Sequence, residues 1–253
     1  MSISYNKDSL RQSDRKQSLS ISVCVPALNE ENGLRGAVED LRNILSPYLR
    51  KIEIIIVNDG SADRTAFLAE QIAEDYPEVK VIHHAKRLGV GACFRDALTI
   101  ASGEYFTWFP ADRENLAEEF IQCLPLLTPK TLVTCHHRGQ DHRFFLRRWV
   151  SVFYASVLNG VFHLDIRYYN GLTIFPTSVL RSLRLVADGF IFLAESLIYS
   201  IKSGCAVVQL SAPLKKREGG KSKMFTWLSL KQTLKDIFRI LLGNLENANK
   251  SIQ

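Results

Sequence analysis

The chain lacks the features that mark several large classes of protein. Its five cysteines are odd in number and form no C-x-x-C pair, which argues against a disulfide framework and against a zinc site. The longest stretch without Asp, Glu, Lys or Arg, 149–164, is short for a membrane span. The N-terminus is polar and charged, so we expect no secretory signal peptide. These absences favour a reduced, cytoplasmic protein that is soluble or peripheral on the membrane face.

The composition is that of a globular protein with a basic surface. Of the 253 residues, 46% are hydrophobic and 23% charged, which is sufficient for a packed core. The net charge of +6 predicts an anionic partner, such as nucleotide phosphate, lipid phosphate, an acidic membrane surface or nucleic acid. Charge alone does not choose among them.

The stretch 53–65 sets the expected organisation of the chain. Apolar β-formers at 54–57 predict a strand over 53–57 that is buried on both faces, and the residues after Thr65 have the spacing of an amphipathic helix. Asp59 then lies at the carboxyl end of a strand, where open parallel sheets bind ligands. The alternative is that Asp59, Ser61 and Asp63 only form a turn and cap the helix.

Strands and helices alternate through the first half of the chain, which predicts an α/β fold with a mostly parallel sheet and helices on both faces. The expected strands are 21–25, 53–57, 79–83, 104–109, 131–135 and 207–210. Helices are expected to begin near Glu31, to cover 65–76, to run from the 87–91 loop through Ala101, and to cover 143–164 and 188–203. We predict a disordered tail at 1–19, a single domain over 20–223, and an amphipathic helix with a tail at 224–253. That last helix either docks on this protein or lies in a membrane interface.

Three further features each have two interpretations. Glu195, on an otherwise apolar helix, is a hydrogen-bonded structural group or a catalytic base. The run 215–223, rich in Lys, Arg and Gly, binds phosphate or is a solvated loop. Gly89 and Gly91 open a helix as phosphate-binding glycines do, but the full G-x-G-x-x-G pattern is absent.

Taken in order, these motifs resemble the inverting family 2 glycosyltransferases of the nucleotide-diphospho-sugar (GT-A) fold, in particular dolichol-phosphate mannose synthases and bacterial polyprenyl-phosphate glycosyltransferases. The resemblance covers about residues 20–223. It rests on Val-Pro-Ala-Leu-Asn-Glu at 25–30, Val-Asn-Asp-Gly-Ser at 57–61 and Arg-Leu-Gly-Val-Gly-Ala at 87–92.

The resemblance implies a site assembled from most of the chain. Nucleotide-sugar binding would fall to Pro26, Leu28, Glu30, Val57, Asp59, Ala111, Asp112, Arg217 and Lys223. The acceptor phosphate would bind Arg138, Arg147 and Ser151, and the catalytic group would comprise Asp112, Arg138, Arg147 and Arg217. A divalent Mg or Mn would bind Asp112 and Glu114, although Pro110 stands where the family usually has a first aspartate.

The function implied is transfer of a sugar from a GDP-mannose or UDP-hexose type of donor to a polyprenyl or dolichyl phosphate, with inversion at the anomeric carbon. Its partners would be the nucleotide sugar, the acceptor and a membrane surface, and not nucleic acid. One alternative is a hydroxyl acceptor, with Glu195 as the base. Another is a nucleotide-sugar binding protein without turnover.

Overall fold

A computed structural model of the chain describes residues 18–111, 117–138, 145–189 and 191–213, and for 137, 138, 145–150, 212 and 213 it describes the backbone alone. The strands are β1 Ser20–Ala27, β2 Lys51–Asn58, β3 Val79–His83, β4 Tyr105–Trp108, β5 Thr131–Arg138, β6 Thr173–Pro176 and β7 Ala206–Pro213. The α-helices are α1 Leu34–Leu45, α2 Thr65–Asp75, α3 Val90–Ile100, α4 Glu119–Cys123, α5 Phe145–Phe162, α6 Thr177–Ser182 and α7 Phe192–Lys202. Short 3-10 turns follow α1 and α4 at Ser46–Tyr48 and Leu124–Leu126.

In the described part of the chain, all seven strands form one sheet in the order β3-β2-β1-β4-β6-β5-β7. Strand β6 runs antiparallel to both β4 and β5, and the other pairings are parallel. The carboxyl ends of β1, β2, β4 and β5 therefore lie along one edge, because their directions agree.

The sheet is buried on both faces, which explains why its central strands are apolar without alternation. Ile54 and Ile56 of β2 pack with α1, α2 and α4 on one face. Ile55 and Val57 of the same strand pack with α3, α5, α6 and α7 on the other. The predicted α/β architecture with a mostly parallel sheet is confirmed.

Several predicted boundaries differ from the structure. Helix α1 begins at Leu34 and not near Glu31, because the Glu30 N–H donates to Thr65 at the start of α2 and the Glu31 N–H donates to Asp63 in the loop before it. Strand β5 continues to Arg138, since parallel pairing with β7 extends along its whole length. Strand β6 was missed: its four residues lie in a segment rich in turn-forming residues.

The predicted tail at 1–19 lies almost wholly outside the described residues, and the C-terminal segment 224–253 wholly so. Both assignments stay predictions. None of the helices that the structure describes is long and apolar enough to cross a membrane.

A buried carboxylate secures the amino edge of the sheet, opposite the predicted site. Glu53 is 3% exposed and accepts hydrogen bonds from Ser22 Oγ at 2.5 Å and from the Ser102 backbone N–H at 2.7 Å. Lys80 Nζ lies 2.7 Å from the same carboxylate. Burial alone would raise the pKa of Glu53, but the donors outweigh it and lower the pKa from 4.5 to about 2.

This network predicts acid-sensitive stability. The unfolded chain takes up the Glu53 proton first on acidification, so the group's contribution is full above pH 4.5 and is lost as the pH falls toward 2. We expect that loss to be about 3 kcal/mol of unfolding free energy. Urea denaturation between neutral and acidic pH measures it, and Glu53→Gln should be less stable at pH 7 with a shallower acid slope.

Glu74→Gln is the matched control, because Glu74 is exposed on α2. It should follow the wild-type acid slope. An unchanged slope in Glu53→Gln would contradict the assignment.

Candidate functional site

Asp59 organises the carboxyl edge of the sheet. It follows β2, is 4% exposed, and its carboxylate accepts the backbone N–H groups of Leu88 at 2.7 Å and Gly89 at 2.9 Å. His84 Nδ1 lies 2.8 Å from the same carboxylate. The loop after β3 is thereby folded onto the end of β2. Of the two sequence interpretations, a local turn and helix cap does not describe Asp59, because its partners lie in another loop.

The loops after β1 and β2 are bonded to each other. The Asn29 backbone N–H donates to Ser61 Oγ at 3.0 Å, and the Ala62 N–H donates to Asn29 Oδ1 at 2.8 Å. The Glu30 N–H donates to Thr65 Oγ1 at 2.9 Å. These reciprocal bonds hold the two predicted nucleotide motifs in a fixed relation.

The nucleotide-binding residues predicted from the first two motifs lie together. Pro26 and Val57 are partners in the β1–β2 register. Val57 is fully buried, whereas Pro26, Leu28 and Glu30 are half-buried and so retain solvent access. This part of the sheet edge is therefore apolar where it is buried and is partly accessible to solvent around Pro26, Leu28 and Glu30.

A second loop, 186–189, packs against the start of α3 and needs glycine there. The Gly91 N–H donates to the Asp188 carbonyl at 2.9 Å. A Cβ on Gly91 would lie 2.1 Å from the Ala187 carbonyl oxygen, and one on Gly89 would lie 2.5 Å from the Asp188 carbonyl oxygen. Gly89 also has a φ of 105°, which disfavours any other residue.

Two charged side chains hold this loop. Arg95 of α3 donates to the Ala187 carbonyl at 2.5 Å and forms an ion pair with Asp188. Glu195 of α7 is fully buried and accepts the backbone N–H groups of Val186 at 2.9 Å and Ala187 at 3.0 Å. This geometry favours the structural interpretation of Glu195 over that of a base.

Asp59, His84 and Cys93 place one ligand atom each within 4.8 Å of the others. Burial, followed by the charge of Asp59, raises the pKa of the Cys93 thiol well above its ordinary value. A protonated thiol is a poor ligand, and sulfur does not suit Mg or Mn. This group is therefore better described as a hydrogen-bonded network than as a divalent-metal site, and it is distinct from the predicted Asp112 and Glu114 site.

Several predicted site residues lie where the structure describes less. Asp112, Glu114, Arg217 and Lys223 are outside the described residues. Arg138 ends β5 and Arg147 lies in the first turn of α5, both with backbone described alone, while Ser151 is half-buried on α5 and Ala111 is buried after β4. The roles assigned to them stay predictions.

Sequence reasoning missed His84, Arg95 and the 186–189 loop as parts of this edge. A signal for His84 was present: it follows an apolar strand directly, as Asp59 does one strand earlier. No pattern in the sequence pointed to Arg95, because its partners lie more than ninety residues away along the chain.

A family model described as glycosyl transferase family 2 matches residues 22–189. The chain belongs to this family. Matching relatives include a dodecaprenyl-phosphate galacturonate synthase of Rhizobium johnstonii, 22% identical over 83% of this chain and 63% of that protein. Another is a dolichyl-phosphate beta-glucosyltransferase of Trichomonas vaginalis, 31% identical over 57% of this chain and 49% of that protein. The chain spans less than two thirds of the length of these curated relatives.

Solved structures of glucosyl-3-phosphoglycerate synthase from Mycobacterium tuberculosis share the fold. One, in complex with Mn²⁺, UDP-glucose and phosphoglyceric acid, has a TM-score of 0.66 and 22% identity and covers 89% of this chain and 81% of that one. Another, with Mg²⁺ and UDP, has a TM-score of 0.61 and 20% identity over 82% of this chain and 74% of that one. The predicted GT-A fold is confirmed.

The packing of the 186–189 loop predicts a strong effect at Gly91. Gly91→Ala forces the Ala187 carbonyl away from the start of α3, since the new methyl group would overlap it. We expect the free energy of unfolding to fall by about 2 kcal/mol, as in other overpacked sites, measured by urea denaturation.

Gly160→Ala is the matched control, because Gly160 also lies in a helix and a Cβ there would meet nothing within 4 Å. Helix propensity alone should then raise stability by about 1 kcal/mol. Equal effects at the two glycines would contradict the close approach at Gly91.

Proposed function

We propose that this glycosyltransferase moves a sugar from a nucleotide-sugar donor to a polyprenyl phosphate, with inversion at the anomeric carbon. The observation that carries the choice of acceptor is the surface of α5. Val152, Phe153, Val157 and Val161 leave 54%, 71%, 39% and 46% of their surface exposed, and residues 149–164 contain no Asp, Glu, Lys or Arg.

The donor would lie at the carboxyl edge of the sheet. Pro26, Leu28, Glu30 and Val57 border one face of the Asp59 network there, with Ala111 at the end of β4. Asp112, Arg217 and Lys223 would complete the nucleotide-sugar site. Carboxylate oxygens from Asp112 and Glu114 suit Mg or Mn, which would neutralise charge on the departing diphosphate.

The acceptor phosphate would meet the same edge from the β5 side. Arg138 lies at the carboxyl end of β5, and α5 begins shortly after it with Arg147 in its first turn. Ser151 follows one turn further on, at the start of the uncharged surface. This order supports an acceptor site in which Arg138, Arg147 and Ser151 would bind the phosphate, with an apolar helix surface leading away from it. A phosphate head joined to a lipid chain has the same polarity.

Transfer to a phosphate acceptor does not require a strong general base. A phosphate acceptor is already ionised near neutral pH, so its oxygen attacks the anomeric carbon while the bond to the donor diphosphate breaks. Catalysis would then rest on positioning and on charge stabilisation. Arginine forks at Arg138 and Arg147 would match the oxygens of the acceptor, and Arg217 would bind the diphosphate. The polyprenyl-type acceptors in the names of the two relatives above agree with this assignment.

The test is a transfer assay of the purified full chain with UDP- and GDP-sugars. Each donor is incubated with a short polyprenyl phosphate or with phosphoglycerate, in Mg²⁺, Mn²⁺ or a chelator. Labelled lipid product with at least one donor is expected. Donor binding without any lipid product, or product with phosphoglycerate alone, would overturn the proposal.

Phe153→Ser probes the acceptor surface. Because Phe153 is exposed, we expect little loss of stability but a KM for polyprenyl phosphate raised by about tenfold, as removal of a large apolar contact should cause. Nucleotide affinity should not change. Phe67→Ser is the matched control, since Phe67 is 54% exposed on α2, on the opposite face of the sheet.

A hydroxyl acceptor is the second candidate, favoured by the solved relative that holds UDP-glucose and phosphoglyceric acid. A hydroxyl must lose a proton, so this reaction needs a base, for which Glu195 is the sequence-based candidate. Its carboxylate is fully buried against backbone N–H groups, which supports the phosphate acceptor instead.

Glu195→Gln separates the two candidates. The amide retains one acceptor oxygen for two N–H donors, so we expect a lower melting temperature with kcat within about tenfold of wild type. Removal of a true base would lower kcat by about 10²–10⁴-fold in a protein that still binds nucleotide normally. Circular dichroism and nucleotide titration of the same samples provide the control.

A further inference from the structure

His84 lies between two carboxylates at the carboxyl edge of the sheet. Its side chain is 5% exposed, with Nδ1 2.8 Å from Asp59 Oδ1 and Nε2 3.0 Å from Asp96 Oδ2. Each ring nitrogen therefore lies within hydrogen-bond distance of one carboxylate oxygen. The imidazole is held at both ends by these contacts.

These contacts join three elements through one side chain. His84 directly follows β3, and its backbone N–H donates to the Asn58 carbonyl at 2.9 Å. Asp59 follows β2, whereas Asp96 lies on α3, one turn beyond the close approach at Gly91. Movement of the imidazole would consequently disturb the end of β2, the loop after β3 and the position of α3 together.

The contact also restricts the Asp59 carboxylate. Asp59 Oδ1 meets both His84 and the Leu88 N–H, while Oδ2 meets the Gly89 N–H. With these donors in place on both oxygens, rotation of the carboxylate breaks at least one bond. A charge-assisted hydrogen bond contributes more than a neutral one, so the imidazole is a principal restraint on that rotation.

We propose that His84 is a positioning residue for the donor nucleotide. It acts through Asp59, by holding the carboxylate and the 84–89 loop in the arrangement that accepts the nucleotide, and Asp96 is its outer anchor. The assignment rests on the proposed donor site at this edge. His84 itself need not touch the donor, because its ring is enclosed by the two carboxylates.

His84→Phe keeps a planar ring and removes both ring nitrogens, and with them the contacts to Asp59 and Asp96. Isothermal titration with UDP and with GDP, in the presence of Mg²⁺ or Mn²⁺, should show affinity for the nucleotide that binds wild type reduced by about tenfold or more. In the transfer assay the donor KM should rise while kcat changes much less. Hydrogen exchange of the Leu88 and Gly89 amides should become faster.

Three further variants grade the effect. His84→Gln supplies one amide donor and should recover part of the affinity. Asp96→Ala keeps the contact between His84 and Asp59 and should weaken binding by only about threefold, since Asp96 is half-exposed. His83→Phe is the matched control: the adjacent histidine bonds Asn58 and Glu70 and not Asp59, so nucleotide affinity should stay at the wild-type value.

The outcomes separate the inference from the proposed function. Wild-type affinity and donor KM in folded His84→Phe, even with a lower melting temperature, would show a purely structural role and overturn the inference alone. An equal loss in His83→Phe would do the same. Failure of the wild-type chain to bind either nucleotide would overturn the proposed function and the inference with it.

Discussion

The carboxylate of Asp59 is the constraint on which the carboxyl edge of the sheet depends. A carboxylate that is 4% exposed costs free energy unless donors surround it, and here the donors come from His84, Leu88 and Gly89. Those donors belong to the loop after the next strand. Satisfying one buried charge therefore folds a loop that local sequence leaves undecided, and the position of that loop determines where α3 begins.

The start of α3 in turn packs against the 186–189 loop, which is distant from it in the sequence. Glycine at 89 and 91 admits its carbonyl groups, Arg95 binds them, and Glu195 accepts its N–H groups. A buried Glu195 engaged in this way supports the architecture of the edge. This agrees with the proposed chemistry, in which an ionised phosphate attacks without a base and the enzyme contributes positioning and charge.

Prediction from sequence succeeded where the signal was local. The apolar run at 54–57 was recognisable because a strand buried on both faces requires continuous apolar β-formers, and the polar turn after it marked the end of that strand. Prediction failed for β6, whose four residues are held by antiparallel pairing with β4 and β5 and carry no periodicity of their own. The end of β5 was also misjudged, since its pairing with β7 extends beyond the apolar residues.

The amino-acid sequence by itself determined the α/β class, the family resemblance and the first two nucleotide motifs, because strand periodicity and turn chemistry act over a few residues. Only the tertiary structure decided what Asp59 and Glu195 bond to, and that His84 stands between Asp59 and Asp96. Hydrogen bonding of a buried charge depends on which donors the fold brings within about 3 Å, and sequence spacing does not encode that distance.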